Sequence, residues 1–145
     1  MANMFMGEYS HSVDSKGRVI VPAKFRESLG ESFVITMGFD GCLSMYSNEE
    51  WNVFVDKLRS LPELRKETRQ TLRYFLAKAT VCEVDKQGRV LIPIKLREHA
   101  ALIKDVVFVG NLSKVEIWSK ERWDSNDIED MDEIAERLSE FGISF

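Results

Sequence analysis

Cysteine, histidine, proline and long apolar runs are all scarce in this chain. Only two cysteines occur in its 145 residues. Cys42 and Cys82 cannot form a disulfide framework, and no apolar leader opens the sequence, so the expectation is a pair of buried, reduced thiols in a cytoplasmic protein. Two histidines, His11 and His99, are too few and too scattered for a His/Cys metal site. No run approaches the roughly 20 apolar residues of a membrane span. A glycine-rich phosphate loop and a nucleophile elbow are likewise missing. Nothing nominates an enzyme, a metal or a cofactor.

A repeat is present instead. Val13-Asp14-Ser15-Lys16-Gly17-Arg18-Val19-Ile20-Val21-Pro22-Ala23-Lys24-Phe25-Arg26-Glu27 returns 71 positions later as Val84-Asp85-Lys86-Gln87-Gly88-Arg89-Val90-Leu91-Ile92-Pro93-Ile94-Lys95-Leu96-Arg97-Glu98. After a one-residue slip, Gly38, Leu43, Met45, Tyr46 and Trp51 align with Gly110, Val115, Ile117, Trp118 and Trp123. A self-match of this length means one structural unit built twice. Each unit, at roughly 45 residues, is near the size at which a domain cannot bury enough surface alone, so the copies are expected to share one core. The duplicated polar residues Lys24/Lys95 and Arg26/Arg97 are not required by a core.

Charge is unevenly placed. The net charge is −4, but residues 124–140 hold eight acids against Arg137 alone, a local −7 that leaves +3 elsewhere. The repeated segment is itself basic, with Lys16, Arg18, Lys24 and Arg26 against Asp14 and Glu27. Recognition depends on where charge sits rather than on its total.

Within each copy, Asp-x-x-Gly is turn chemistry, with glycine free to take positive φ. The strands Arg18–Val21 and Arg89–Ile92 follow, closed by Pro22 and Pro93, which cannot donate to a ladder and suit the first turn of a helix. Short helices over Ala23–Leu29 and Ile94–Leu102 come next, with Gly30 a stop for the first. The strands Phe33–Met37 and Val106–Val109 then pair with Cys42–Tyr46 and Lys114–Trp118, and Asp40-Gly41 is a tight-turn signal for the first hairpin. Ser47-x-x-Glu50 has the pattern of a capping box, opening a helix that aligns Trp51, Phe54, Val55, Leu58 and Leu61. Past Pro62, a second helix over about 63–79 is expected to turn Leu72, Phe75, Leu76 and Ala79 inward. Its row Arg65, Arg69 and Arg73 reads as a solvated or salt-bridged face. At the end, Ile128, Met131, Ile134, Ala135, Leu138 and Phe141 make an amphipathic helix whose acids load its N-terminal half. Division of the chain is expected at 7–54 and 81–126 for the repeats, 55–80 for a helical linker and 127–145 for the acidic C-terminal helix.

Asp14 and Asp85 each lie four residues before an arginine, so a local ion pair that shapes the turn explains them better than a catalytic carboxylate pair. The cations around them suit nucleic acid: arginine offers a flat fork to phosphate or guanine, and lysine mobile charge to phosphate. Two such clusters suit the pseudo-symmetric backbone of duplex DNA. An acidic protein partner is the competing reading, with surface salt bridges the structural one.

Val-Asp-x-x-Gly-Arg-Val-x-Ile-Pro-x-x-Leu-Arg, as it stands at Val84–Arg97, resembles the DNA-binding half of AbrB-type regulators; Val13–Arg26 departs conservatively at Val21 and Phe25. Two such units, with Asp-x-x-x-Arg at Asp14/Arg18 and Asp85/Arg89, resemble the MraZ family of bacterial regulators of division and cell-wall genes. Met4-Phe5-Met6-Gly7 with His11, Tyr74–Ala79 and Val109-Gly110 fit that family too. The resemblance spans nearly the whole chain apart from the acidic end. It implies a mixed, mainly β fold with peripheral α-helices: a pseudo-two-fold, swapped-hairpin β-barrel made by two tandem repeats, with linker and C-terminal helices. It further implies a cytoplasmic, nucleoid-associated transcriptional regulator, mainly a repressor, that binds short repeats in double-stranded promoter DNA as a ring-shaped homo-oligomer, with no membrane and no small-molecule substrate. Carried over by position, DNA binding falls to Arg18, Arg89, Lys16, Lys24, Arg26, Lys86, Lys95 and Arg97, with Asp14, Asp85, Gly17 and Gly88 shaping the motif. Arg26 and Arg97 could instead pair with Glu27 or Glu98.

Overall fold

The polypeptide, seen in a computed structural model, alternates short strands and helices in an order that runs twice. Residues 4–126 and 130–145 are described; Met1–Asn3 lie outside them, as do Ile128 of the expected terminal helix and Asp127 and Glu129 of its acidic run. The first copy comprises β1 (Glu8–Ser12), β2 (Arg18–Ile20), α1 (Ala23–Leu29), β3 (Ser32–Met37) and β4 (Leu43–Ser47), followed by α2 (Asn48–Arg59) and α3 (Lys66–Leu76). The second comprises β5 (Thr80–Glu83), β6 (Arg89–Leu91), α4 (Ile94–Ala100), β7 (Asp105–Asn111) and β8 (Lys114–Ser119), followed by α5 (Lys120–Ser125) and α6 (Met131–Ser139).

Six strands form one antiparallel sheet in the order β1-β7-β8-β4-β3-β5, and β2 pairs with β6 as a separate ribbon. Exchanging the copies reverses that order onto itself. The local two-fold passes through the Ser44–Glu116 pair of β4–β8 and the Val19–Val90 pair of the ribbon. The copies are interleaved: β1 bonds to β7 and β5 to β3, so each edge strand sits on the hairpin of the other copy.

The fold is therefore mainly sheet with helices outside, as expected, but the closed barrel is not what the hydrogen bonds give. The sheet ends at β1 and β5. After each of these strands an Asp-x-x-Gly turn swings the chain away, and the ribbon stops after three residues because Pro22 and Pro93 follow closely. It packs against both edges, with the one bridge Val84–Val90 beyond its own pairing, and so covers the core without completing a ring of strands.

One apolar cluster takes residues from both copies, including Val19, Val21, Phe25, Leu29, Phe33 and Ile35 from the first and Val90, Ile92, Leu96, Val106, Phe108 and Ile117 from the second. All twelve are essentially inaccessible, as a shared core requires. The first hairpin turns through Asp40 and Gly41 at φ 63° and 81°, the mirror-image turn that matches strand twist. Ser47 accepts from the Glu50 amide at 3.2 Å, capping α2 as its sequence pattern indicates.

Several expectations shift. β1 and β5 were not anticipated. α3 is shorter than 63–79, and Leu76 is 42% exposed rather than turned inward. α4 stops at Ala100, where Ala101 takes a left-handed cap at φ 54°. No residue of α6 is fully buried, and Met131 and Phe141 stand out in solvent. Arg65 pairs with Glu67 at 2.8 Å and Arg69 donates to the Leu64 carbonyl at 3.0 Å, in keeping with a self-bonded surface. Among the described residues no helix is long and apolar enough to cross a membrane, and no cluster of His, Cys, Asp and Glu could hold a metal.

Candidate nucleic-acid interface

The two Asp-x-x-Gly-Arg turns repeat bond for bond. Asp14 Oδ1 accepts from the backbone amides of Lys16 and Arg18, both at 2.9 Å, and its Oδ2 from Arg18 Nε at 2.8 Å. Asp85 Oδ1 accepts from Gln87 and Arg89 amides at 2.8 and 2.9 Å, and its Oδ2 from Arg89 Nε at 2.9 Å. Gly17 and Gly88 each donate to the carbonyl of their aspartate at 3.0 Å. Their φ values of 84° and 79° lie in the region where a side chain is strained. The arginine amide bond, above all, holds each carboxylate below the ordinary aspartate pKa; burial opposes it, and the remaining N–H donors and the guanidinium add to it.

Each aspartate uses the arginine's Nε and leaves the two terminal nitrogens, the fork that grips phosphate or guanine, without a hydrogen bond among the described residues. The side chains of Arg18 and Arg89 are half-buried. They sit in the ribbon, whose pattern buries Val19 and Val90 and turns the alternate positions outward. On that outer face Arg18 lies opposite Leu91 and Arg89 opposite Ile20. Ile20 and Leu91 are 43% and 56% exposed. Sequence reasoning did not single out these two apolar residues; period-two alternation along the strand is the signal that places them beside the arginines.

Lys16 and Lys86 project from the turns, and Lys24 and Lys95 from the first turns of α1 and α4. All four are exposed, and none makes an ion pair among the described residues. The ribbon crosses the sets over. Ile92 donates to the Gly17 carbonyl at 3.0 Å and Val21 to the Gly88 carbonyl at 2.9 Å. The first turn therefore stands beside the start of α4 with Lys95, and the second beside α1 with Lys24.

Arg26 and Arg97 are placed differently. Both are half-buried, neither pairs with Glu27 or Glu98, and each lies against the glycine of the opposite copy's turn. Arg97 Nε donates to the Ile92 carbonyl at 2.8 Å. His11 lies in β1, its pKa lowered by burial and then by the charge of Arg26. His99 belongs to α4, away from the turns, with its pKa lowered by burial and by Arg122 and Lys78.

Residues 4–74 and 75–140 each match the family model described as MraZ protein, so the model accounts for both halves of the chain. The chain belongs to the MraZ family. Whole-length relatives agree. Transcriptional regulator MraZ of Lachnoclostridium phytofermentans is 66% identical over 142 residues, 98% of this chain and 100% of that protein. Those of Caldanaerobacter subterraneus and Ligilactobacillus salivarius are 56% and 53% identical over 144 and 143 residues, each 97% of this chain and 100% of its own. MraZ relatives thus carry the name of a regulator and not of an enzyme, in line with a sequence that holds no catalytic constellation.

Proposed function

We propose that this chain is a sequence-specific transcriptional regulator that binds double-stranded promoter DNA through the two Asp-x-x-Gly-Arg turns. The observation that carries the reading is the doubled turn in which a carboxylate fixes an arginine by its Nε, leaves its fork unbonded and is flanked by unpaired lysines. Arg18 and Arg89 contact bases or the phosphates beside them. Lys16, Lys24, Lys86 and Lys95 bind phosphate, and Arg26 and Arg97 add positive charge beneath the turns. Asp14, Asp85, Gly17 and Gly88 set the geometry. The two-fold relation of the turns suits a duplex, whose strands are themselves related by local two-folds. The division at 7–54, 55–80, 81–126 and 127–145 remains our proposal for how the chain is organised.

The finer reading is a repressor of division and cell-wall promoters, acting on short tandem DNA repeats as a ring-shaped homo-oligomer in the cytoplasm at the nucleoid. A ribbon with two turns makes few contacts, and several copies on spaced repeats gain affinity through effective concentration. The acidic run at 124–140 disfavours DNA on its own side.

Selection from a random duplex pool, with fluorescence anisotropy on what is retained, tests this. A short motif recovered in tandem is expected, with affinity that falls steeply as salt rises. Retention no better than bulk DNA at low salt would overturn it and leave an acidic protein partner as the occupant of the basic face.

A further inference from the structure

We propose that Arg97 and Arg26 are cross-repeat positioning residues: Arg97 sets the Asp14–Arg18 turn and Arg26 sets the Asp85–Arg89 turn. Each turn is then assembled from both copies of the repeat. The role in recognition rests on the DNA reading above; the geometry does not.

Contact begins at the glycines. A methyl group placed on Gly17 would lie 2.6 Å from the guanidinium carbon of Arg97, 2.8 Å from Nη2 and 2.9 Å from Nε. All three distances are shorter than any relaxed carbon contact, so the flat guanidinium lies directly against the bare face of the glycine. At Gly88 the same face meets Arg26, whose guanidinium carbon would stand 2.8 Å from the added methyl, with Nη1 nearer still. At each turn glycine supplies the positive φ, and an added methyl would make the opposite arginine move off the turn.

Arg97 is also held in place. Ile92 donates its amide to the Gly17 carbonyl at 3.0 Å and accepts from Arg97 Nε at 2.8 Å. One residue of the second copy thus ties both the turn and its brace. Nε, the nitrogen that Arg18 spends on Asp14, is spent by Arg97 on the ribbon's end. Arg26 differs in one respect: its Nε is buried and has no hydrogen-bond partner among the described residues. An N–H buried without a partner is costly to keep. Arg26 holds its place against Gly88 at that cost, so Arg97 is the better-anchored brace of the two.

A brace and a phosphate contact respond differently to lysine. Lysine keeps the positive charge and can still reach phosphate, but it has no plane to lay against a glycine. Peptide-resolved hydrogen exchange on the DNA-free full chain reads the brace directly. Arg97→Lys is expected to speed exchange across Lys16, Gly17 and Arg18, with Gln87, Gly88 and Arg89 unchanged, and Arg26→Lys to do the reverse. Acceleration confined to the mutated residue's own turn, or none at either, would overturn the proposal. If Arg97→Lys does not fold, as judged by its melting curve, Arg97→Met keeps the stem packed and is read in the same way.

On the selected duplex, Arg97→Lys is expected to weaken binding about tenfold, whereas a phosphate contact, which lysine can keep, would survive the change. Full affinity in Arg97→Lys would make the residue a charge contact and refute positioning. Should the unaltered chain bind no DNA, the reading under Proposed function fails while the exchange result still decides the brace.

Discussion

The turns at 14–18 and 85–89 agree in every hydrogen bond, whereas the helices that follow the two hairpins share little beyond their first turn. Ser47 and Ser119 both cap, accepting from the amides of Glu50 and Arg122 at 3.2 and 3.1 Å. Each also sets a tryptophan at a tilt against the preceding strand, Trp51 on Tyr46 and Trp123 on Trp118. Past that point α2 runs 12 residues and adds Phe54, stacked on Tyr46. α5 runs six, and Arg122 pins it by donating to the carbonyls of Gly41 and His99 at 2.8 and 3.0 Å. Two copies of one unit have thus kept the ribbon and its turns alike while their peripheries diverged. The difference marks the ribbon as the place where the two copies still face one common requirement.

The sharpest way to break this comparison is at the glycines. Gly17→Ala and Gly88→Ala each place a side chain at positive φ and against the opposite arginine, and each should cost about 2–3 kcal/mol in thermal or denaturant unfolding. Near-equal losses would sharpen the equivalence of the turns; a neutral change at either would break it.

Next come the aspartates. Asp14→Ala and Asp85→Ala remove three acceptor contacts apiece, and each should weaken specific DNA binding about 10- to 100-fold, judged by anisotropy at fixed salt. The same carboxylates set a pH dependence. Their folded pKa values are lowered, so the stability they contribute is complete above the unfolded-chain value, near 4, and is lost as the pH falls through the folded values. Exchange protection at both turns should be flat from neutrality to about pH 5 and should collapse only in stronger acid. Collapse nearer neutrality would show that another group controls the turn.

Smaller effects probe the periphery. Ser47→Ala and Ser119→Ala should each cost about 1 kcal/mol by the same melts, since one cap is lost in either case. A much larger cost at Ser119 would show that α5 does more than end the second copy. Removing residues 131–145 should change stability by less than about 1 kcal/mol, because no residue of α6 is fully buried. A fall in melting temperature beyond that would place α6 among the structural elements.

What the sequence made legible follows from the range of the physics involved. The Asp-x-x-Gly turns, the capping serine, the prolines that end the ribbon and the Asp40-Gly41 hairpin are set by neighbours a few residues apart, and all stand where the residues indicated. β1 escaped notice because Glu8-Tyr9-Ser10-His11-Ser12 is an edge strand that is polar at every position but Tyr9 and fully buried at none. β5 is only four residues long. Leu76 fits an inward helical stripe by period alone, yet α3 meets the sheet through Phe75 and leaves it outside. The placement of Arg97 beneath Gly17 joins residues 80 positions apart in the chain, and no local pattern carries that information. Arginine at a site of recognition also looks the same in sequence whether it contacts the ligand or the backbone beneath.

The pairing of β1 with β7 sets a condition on how the molecule is made. Glu8 is matched with Val109, so the first strand has no partner until about three-quarters of the chain exists. Contacts that span such distances slow folding, because the long loop must close before it is rewarded. During synthesis the N-terminal half must wait, with Phe33, Ile35 and Met45 lacking the strands that cover them. Only when the last hairpin arrives are the partner of β1 and the second copy's share of the core both present. A polypeptide cut between the repeats is expected to leave each half without strands that cover its core. Duplication here produced two local turns carried on one shared core.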